Sequence, residues 1–462
     1  MADSTSSGAG FAKVLGLPSL VAIIVGIAIS QVGLVGVLQG IGLASSASSW
    51  VVILAFAIAF VLALTYVASF SELSLMMPSA GGLGTYTEIA IGHFPALLAT
   101  FAGYVVVNMF GLPAELILFD SVIRQVFGLS LPPNLIGLLL LAGLTVLNIR
   151  GTDVFAALQN STTALKVALM LATGGLVWFA QPLAHVDAGE TAPLLTSAEA
   201  FSASIALFFW CFVAAEFVCP MIEETKSANR NIPRSMLIGV VVLGSLYALY
   251  AFGAIKLLGQ KTLTGSSFPH LDYAYAVFGK AGAAILLVFA ATATIGLING
   301  ILAGVSRMLY GMAINGQAFA VFARRHPKYG TPWIAIIFMA VLCGVPLVFL
   351  GNRPDTVMTL VVSASSAWLF AYIIAHVDLL VLRRRYPLAP RPFRSPWFPW
   401  PQWLGIAGMI YVIAGNPQTV LLAAGGVIAG VAVLSALWVK FVMKRSFFTP
   451  DALPELTDGT QP

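Results

Sequence analysis

Several charged side chains lie inside apolar runs of this sequence, Glu216 and Lys166 foremost among them. Glu216 closes Phe208-Phe209-Trp210-Cys211-Phe212-Val213-Ala214-Ala215-Glu216, and Lys166 follows Asn160-Ser161-Thr162-Thr163. A carboxylate deep in an apolar segment costs several kcal/mol; it marks either a path for a solute or ion, or a cap on a neighbouring helix. Lys166 sits about 12 Å into its run at about 1.5 Å per residue. An amine at that depth either carries a proton or snorkels to the surface. A third feature is Val25-Gly26-Ile27-Ala28-Ile29-Ser30-Gln31-Val32-Gly33-Leu34-Val35-Gly36, where glycine and small polar residues weaken a helix. Either the helix breaks there and lines a cavity, or its small residues pack closely against a neighbour, as Gly36-x-x-x-Gly40 allows. Asn108 and Asn299 are further polar residues in apolar runs, where hydrogen bonding between helices is the default role. Glu115 and Asp120 read as vestibule or structural groups.

This inventory suits binding and the movement of charge, not covalent chemistry. There is no H-E-x-x-H, no G-x-S-x-G and no phosphate-binding loop, so no catalytic residue is expected. Cys211, Cys219 and Cys343 all fall in apolar runs, without the spacing of a disulfide framework or a metal site. No cofactor and no metal are expected, and the clustering of Lys and Arg between apolar runs speaks against a nucleic-acid partner.

The elements that position these groups follow from composition. Of 462 residues 59% are hydrophobic and 9% charged, against about 25% charged in soluble domains. So much apolar surface can be buried only in lipid. Twelve segments are long enough to span: 17–42, 50–70, 96–124, 133–149, 158–180, 201–221, 236–257, 281–312, 331–351, 356–382, 402–416 and 418–440. One set of connecting loops holds 16 Lys and Arg, the other 5, with Lys166 and Arg307 in helices. By the positive-inside rule both termini are cytoplasmic. The loop 181–200 has no Lys or Arg, as an external loop should. The segments 1–16, with its polar start, and 444–462, acidic from Thr449 onward, read as cytoplasmic tails around a transmembrane domain 17–443.

Several segments together resemble the amino acid–polyamine–organocation family of permeases, over nearly the whole chain. Pro78-Ser79-Ala80-Gly81-Gly82-Leu83-Gly84-Thr85-Tyr86 is similar to the family's loop after span 2. Trp210 to Glu216, then Glu223-Glu224-Thr225-Lys226 and Asn231-Ile232-Pro233, resemble its span 6 signature. Ser306-Arg307, Asn315-Gly316, Phe322-Ala323-Arg324 and Thr331-Pro332 resemble the passage from span 8 to span 9. Leu382-Arg383-Arg384-Arg385-Tyr386-Pro387 and Arg391-Pro392-Phe393-Arg394 resemble the segment after span 10.

The resemblance implies an all-α membrane protein with a 5+5 inverted repeat: 17–180 and 201–382, plus helices 11 and 12 over 402–440. Helices 1 and 6 would be broken near Ala28 and near Val213-Ala214, with substrate between them. It implies that Gly26, Ile27, Ala28 and Ile29 meet a substrate carboxylate, and that Trp210, Val213 and Ala214 meet its ammonium. Tyr86, Asn108 and Asn299 are further candidates for substrate contact. Lys166, in the place of the lysine of proton-linked members, and Glu216 are the coupling or gating candidates. Ala28 and Ala214 stand where glycine is usual.

The implied function is a secondary active permease of the plasma (inner) membrane. It moves amino acids by alternating access, independently of sodium and coupled to protons; the lipid bilayer, the small-molecule substrate and protons are its partners. The alternatives are an amine, polyamine or ethanolamine-type permease, an amino acid/amine exchanger and, outside transport, a membrane sensor or channel.

Overall fold

The computed structural model describes residues 13–45, 49–178, 197–266, 268–350 and 357–453. The residues 1–12 and 454–462 of the expected tails, and 181–196 of the basic-free loop, lie outside the described residues.

Over the described residues the apolar runs are helical, two of them with an interruption. The first third comprises α1 (Leu17–Ala28), α2 (Gln31–Ser45), α3 (Ser49–Met76), α4 (Leu83–Ile91), α5 (His93–Thr100), α6 (Asn108–Phe127) and α7 (Leu135–Ile149). A π-helical stretch, Phe101–Val106, joins α5 to α6 in one span. The middle comprises α8 (Thr152–Leu176), α9 (Ser197–Trp210), a 3-10 segment (Ala215–Glu224), α10 (Ala228–Leu257), α11 (Gln260–Gly265), α12 (Pro269–Phe278) and α13 (Gly282–Ile314). The last part comprises α14 (Trp333–Leu350), α15 (Val357–Arg385), α16 (Trp400–Ala414) and α17 (Gln418–Leu437). Among the described residues nine helices are long and apolar enough to cross a membrane, and a tenth is the pair α1 and α2, bent by 58°. The two remaining apolar segments, α7 and α16, are shorter helices.

The differences from the sequence reading have local causes. α3 runs past residue 70 to Met76 because Glu72 is neutralised inside the protein: Arg383 Nε and Nη2 reach its two oxygens at 2.7 Å each. The stretch 258–281 contains α11 and α12, too short to span. Pro269 fits the first turn of α12, and the Ser266 hydroxyl accepts from the Phe268 amide at 3.1 Å just before it. The loop motif 78–86 is half helix, since α4 begins at Leu83.

α1 packs against α8, α10 and α13; α2 packs against α9. The two interrupted helices, α1–α2 and α9 with its 3-10 continuation, therefore run through the middle of the bundle. The 3-10 continuation is almost wholly buried.

Candidate functional site

α1 ends at Ala28 and α2 begins at Gln31, leaving freed carbonyls on one side of the break and freed N–H groups on the other. Their partners come from other helices. Lys166 Nζ on α8 donates to Gly26 O at 2.6 Å, Ile29 O at 3.0 Å and Ala293 O at 3.4 Å. Tyr247 Oη on α10 donates to Ala28 O at 2.8 Å. Across the break, the Glu115 carboxylate on α6 accepts from Gln31 N at 3.0 Å and from Val32 N at 2.9 Å. Thr294 Oγ1 donates to the same Glu115 at 2.8 Å and accepts from Gln31 Nε2 at 2.8 Å. The ammonium thus meets the carbonyl end of α1 and the carboxylate meets the amide end of α2, each charge on the favourable pole of its half-helix. Lys166 and Glu115 are wholly buried, so each of these contacts offsets a large desolvation cost.

Gly26 has a packing role at this break. A Cβ on Gly26 would overlap Gln159 and Thr163 of α8. Glycine brings the two helices close enough for Lys166 to reach the carbonyls.

The second break is built differently. α9 stops at Trp210, and Ala214 adopts the left-handed region at φ 86 before the 3-10 segment begins. That conformation is costly for a side chain with a Cβ, which explains why glycine suits this position. Tyr66 Oη on α3 donates to Phe212 O at 2.5 Å and accepts from Ala215 N at 3.3 Å, bridging the break. Trp210 leans across to the first break, with Nε1 3.5 Å from Ser30 Oγ, and its ring packs 5.1 Å from that of Trp368. Gly111 on α6 lies under the same indole.

Glu216, next to this break, accepts from Tyr372 Oη at 2.7 Å. Its Oε2 is buried without a hydrogen-bond partner among the described residues. Tyr104 Oη, Asn108 Oδ1 and Trp368 Nε1 are also buried without a partner among the described residues. Asn108 follows Tyr104 by four residues, and its amide donates to Tyr104 O at 2.6 Å. A buried polar group left unmatched costs free energy, and here such groups gather beside the second break on α15 and on the span that holds α6.

The structure brings Ile27, Ala28, Ile29, Trp210, Val213 and Ala214 to the two breaks, with Lys166 and Glu216 beside them. Asn299 is engaged elsewhere: it donates to Gln159 Oε1 at 2.8 Å and accepts from Asn148 Nδ2 at 2.9 Å, joining α7, α8 and α13. Tyr86 is buried on α4, which lies against α15 and α13. The sequence reading missed Tyr66, Tyr247, Trp368 and Tyr372, and assigned Glu115 no site role. One signal was available for two of them: Trp368 and Tyr372 stand four apart, hence on one helix face.

At the end of the bundle bearing Arg307 and Arg383–Arg385, polar contacts tie the 3-10 segment to α13, α8, the start of the chain and the loop after α3. Arg307 Nε and Nη2 donate to Glu224 at 2.6 and 3.2 Å, and Nη2 also reaches Thr152 Oγ1 at 2.9 Å. Leu15 N donates to Glu224 O at 3.0 Å, and Lys226 N to Leu15 O at 2.8 Å. Ala80 N donates to Glu223 Oε1 at 3.3 Å.

Comparison with known proteins gives one consistent answer. Residues 15–442 match the family model described as "Amino acid permease". The chain is 26% identical to the serine/threonine exchanger SteT of Bacillus subtilis (strain 168), over 94% of this chain and 98% of that protein. It is 25% identical to the b(0,+)-type amino acid transporter 1 of Mus musculus, over 71% of this chain and 68% of that protein. It is 24% identical to the branched-chain amino acid permease BcaP of Bacillus subtilis, over 75% of this chain and 76% of that protein.

Proposed function

The chain belongs to the amino acid permease family, within the amino acid–polyamine–organocation permeases, and from that premise we propose that it is a sodium-independent, proton-coupled carrier of small amino acids. The reading has twelve spans, α7 and α16 among them, with both termini cytoplasmic and the arginine-rich end facing the cytoplasm of a plasma (inner) membrane. The two halves, 17–180 and 201–382, work as inverted repeats. The interruption of a helix early in each half supports this. Substrate sits between the breaks, on the backbone from Gly26 to Ile29 and on Trp210, Val213 and Ala214, with the unpartnered groups of Asn108, Tyr104 and Trp368 within its reach. Tyr86 closes the exit, and Asn299 holds the wall behind α1. Alternating access then consists of opening one end while the other stays shut.

The observation that carries this reading is the Lys166 ammonium on the carbonyls of Gly26, Ile29 and Ala293. Three carbonyls converging at a helix break are the kind of site that holds a bound cation. Here the chain's own amine fills it, so the movable charge is a proton on that amine. Protonated, it ties α1 to α8 and α13; deprotonated, it holds them less. A proton shifts such an equilibrium only through different affinity for the two states.

The test uses proteoliposomes holding only this protein. Uptake of small neutral amino acids should follow an imposed pH gradient, and replacing sodium by choline should change nothing. Lys166→Ala should lose pH-driven uptake while substrate still raises the thermal stability of the protein. Strong sodium dependence, or a Lys166→Ala variant still driven by the gradient, overturns the proposal. Uptake that requires substrate inside the vesicles would mark an exchanger, which is what SteT is named.

A second reading, an amine permease, is favoured by Glu115. Its carboxylate already occupies Gln31 N and Val32 N, the anion-seeking amides of α2. Comparing amino acids with their decarboxylated amines in the same assay separates the two.

A further inference from the structure

We propose that residues 444–453 form a latch that holds α4 in place and sets how readily the arginine-rich end of the carrier opens.

α4 is wedged across that end. Thr87 Oγ1 donates to Asp378 Oδ2 at 2.6 Å, and Arg385 Nη1 reaches Ile89 O at 3.2 Å, tying α4 to α15. Asn315 Nδ2 reaches Thr85 Oγ1 at 3.3 Å beyond the end of α13. At its N-terminus, Gly82 lies against Met308 and Pro220, and Gly81 lies so close to Gly311 that a Cβ there would overlap it. Pro220 belongs to the 3-10 continuation of the second broken helix. An opening of this end that displaces that segment must shift α4 or part from it.

The chain beyond α17 reaches back over the far end of α4. Lys444, at φ 54, turns it. Phe94 N donates to Phe447 O at 3.0 Å, and the rings of Phe447 and Phe448 flank that of Phe94 at 5.8 and 5.9 Å. The backbone of Phe448 lies 2.8 Å from where a Cβ of Gly92 would stand, and Gly92 itself is at φ 108. Glycine is therefore required there twice over, by backbone conformation and by space. Asp451 N donates to Glu88 O at 3.3 Å. His93 bridges the two parts: Nδ1 is 2.6 Å from Glu88 Oε1, and Nε2 is 3.6 Å from Asp451 Oδ1. Arg445 closes the latch on itself, 2.9 Å from Asp451 Oδ2.

These fastenings differ in kind from the tie between Arg307 and Glu224. The Arg307–Glu224 pair is buried, whereas Asp451 and Arg445 are nearly half exposed. Exposed pairs contribute little each and exchange with water, and segments held so lightly are the ones that open first. A fastening of that strength can set a rate without locking the protein.

The inference rests on the transport reading above, but its first measurement does not need transport. In the full-length protein, Asp451→Asn removes the charge facing His93 and Arg445, and Phe448→Ser removes the ring against Phe94. Each should lower amide-exchange protection across 83–94 several-fold while leaving protection in α13 unchanged. In proteoliposomes each should raise the initial rate of uptake by up to about fivefold, with the substrate-induced thermal shift intact. A disulfide between Phe94→Cys and Phe447→Cys should slow uptake, and reduction should restore it. Unchanged protection across 83–94, or uptake no faster in the folded single variants and unaffected by the disulfide, overturns the latch. A changed protection with no detectable transport by the native protein overturns the carrier reading and leaves the fastening in place.

Discussion

The two helix breaks face one another yet are held by different forces. At the first, the freed backbone groups are matched by full charges brought from elsewhere: Lys166 on the carbonyls of Gly26 and Ile29, Glu115 on the amides of Gln31 and Val32. At the second, a neutral hydroxyl from Tyr66 bridges Phe212 O and Ala215 N, and the turn is made by Ala214 in a left-handed conformation. A charge can be cancelled by one proton, whereas a tyrosine hydroxyl bond and a backbone twist cannot. The proton coupling proposed above therefore rests on the first break, where charges meet the backbone directly; at the second, the charge of Glu216 meets the side chain of Tyr372 and not the freed backbone groups.

This contrast can be broken by mutation. The largest effect should come from Lys166→Met, which strips the α1 carbonyls of their donor and leaves Glu115 without a nearby opposite charge; a loss of about 3 kcal/mol is expected, read as a fall in the thermal midpoint in one fixed detergent. Glu115→Gln should cost about 2 kcal/mol by the same measure, because one charge-assisted acceptor is lost at the α2 N-terminus. Lys166 and Glu115 hold backbone groups only two residues apart, Ile29 O and Gln31 N, so the double variant should lose less than the sum of the two; strict additivity would mean that the charges at the first break act separately. Tyr66→Phe, at the second break, should cost only about 1 kcal/mol, one neutral hydrogen bond. A loss as large as that of Lys166→Met would mean that the two breaks are held with equal strength. Trp210→Ala should weaken substrate binding several-fold, by loss of a cation–π or apolar contact of about 0.5–2 kcal/mol; an unchanged thermal shift with substrate would remove Trp210 from the site. The smallest effect is a gain. Ala214→Gly relieves the left-handed strain, partly offset by the greater freedom of glycine when unfolded, for a net stabilisation under about 1 kcal/mol. Destabilisation by this change would mean that the methyl group packs usefully and that the turn is not strained.

Some of this was legible in residues alone. Gly26 and Ala28 marked the weak point of the first helix, and the helix does stop at Ala28. Of the two ways open to Gly26, a cavity wall or close packing, the packing contact with Gln159 and Thr163 is present, and it stands at a true break. Asn299 took the default role of bonding between helices. Glu115 read as peripheral because its place late in its run suggested depth near one surface. The break between α1 and α2 frees the amides of Gln31 and Val32, and Glu115 meets both.

By itself the sequence determined that this is a helical membrane protein, because a chain that is 59% hydrophobic and 9% charged can hide its surface only in lipid. It also determined the order of the helices and their weak points, since hydropathy and small residues act within a few positions along the chain. Only the tertiary structure decided who meets whom at those weak points. Lys166 stands 140 residues from Gly26 and 127 from Ala293, and Glu115 stands 84 from Gln31. Such partners are chosen by how each helix is rotated and crossed against its neighbours, and that depends on the packing of the whole bundle, which no local run of residues encodes.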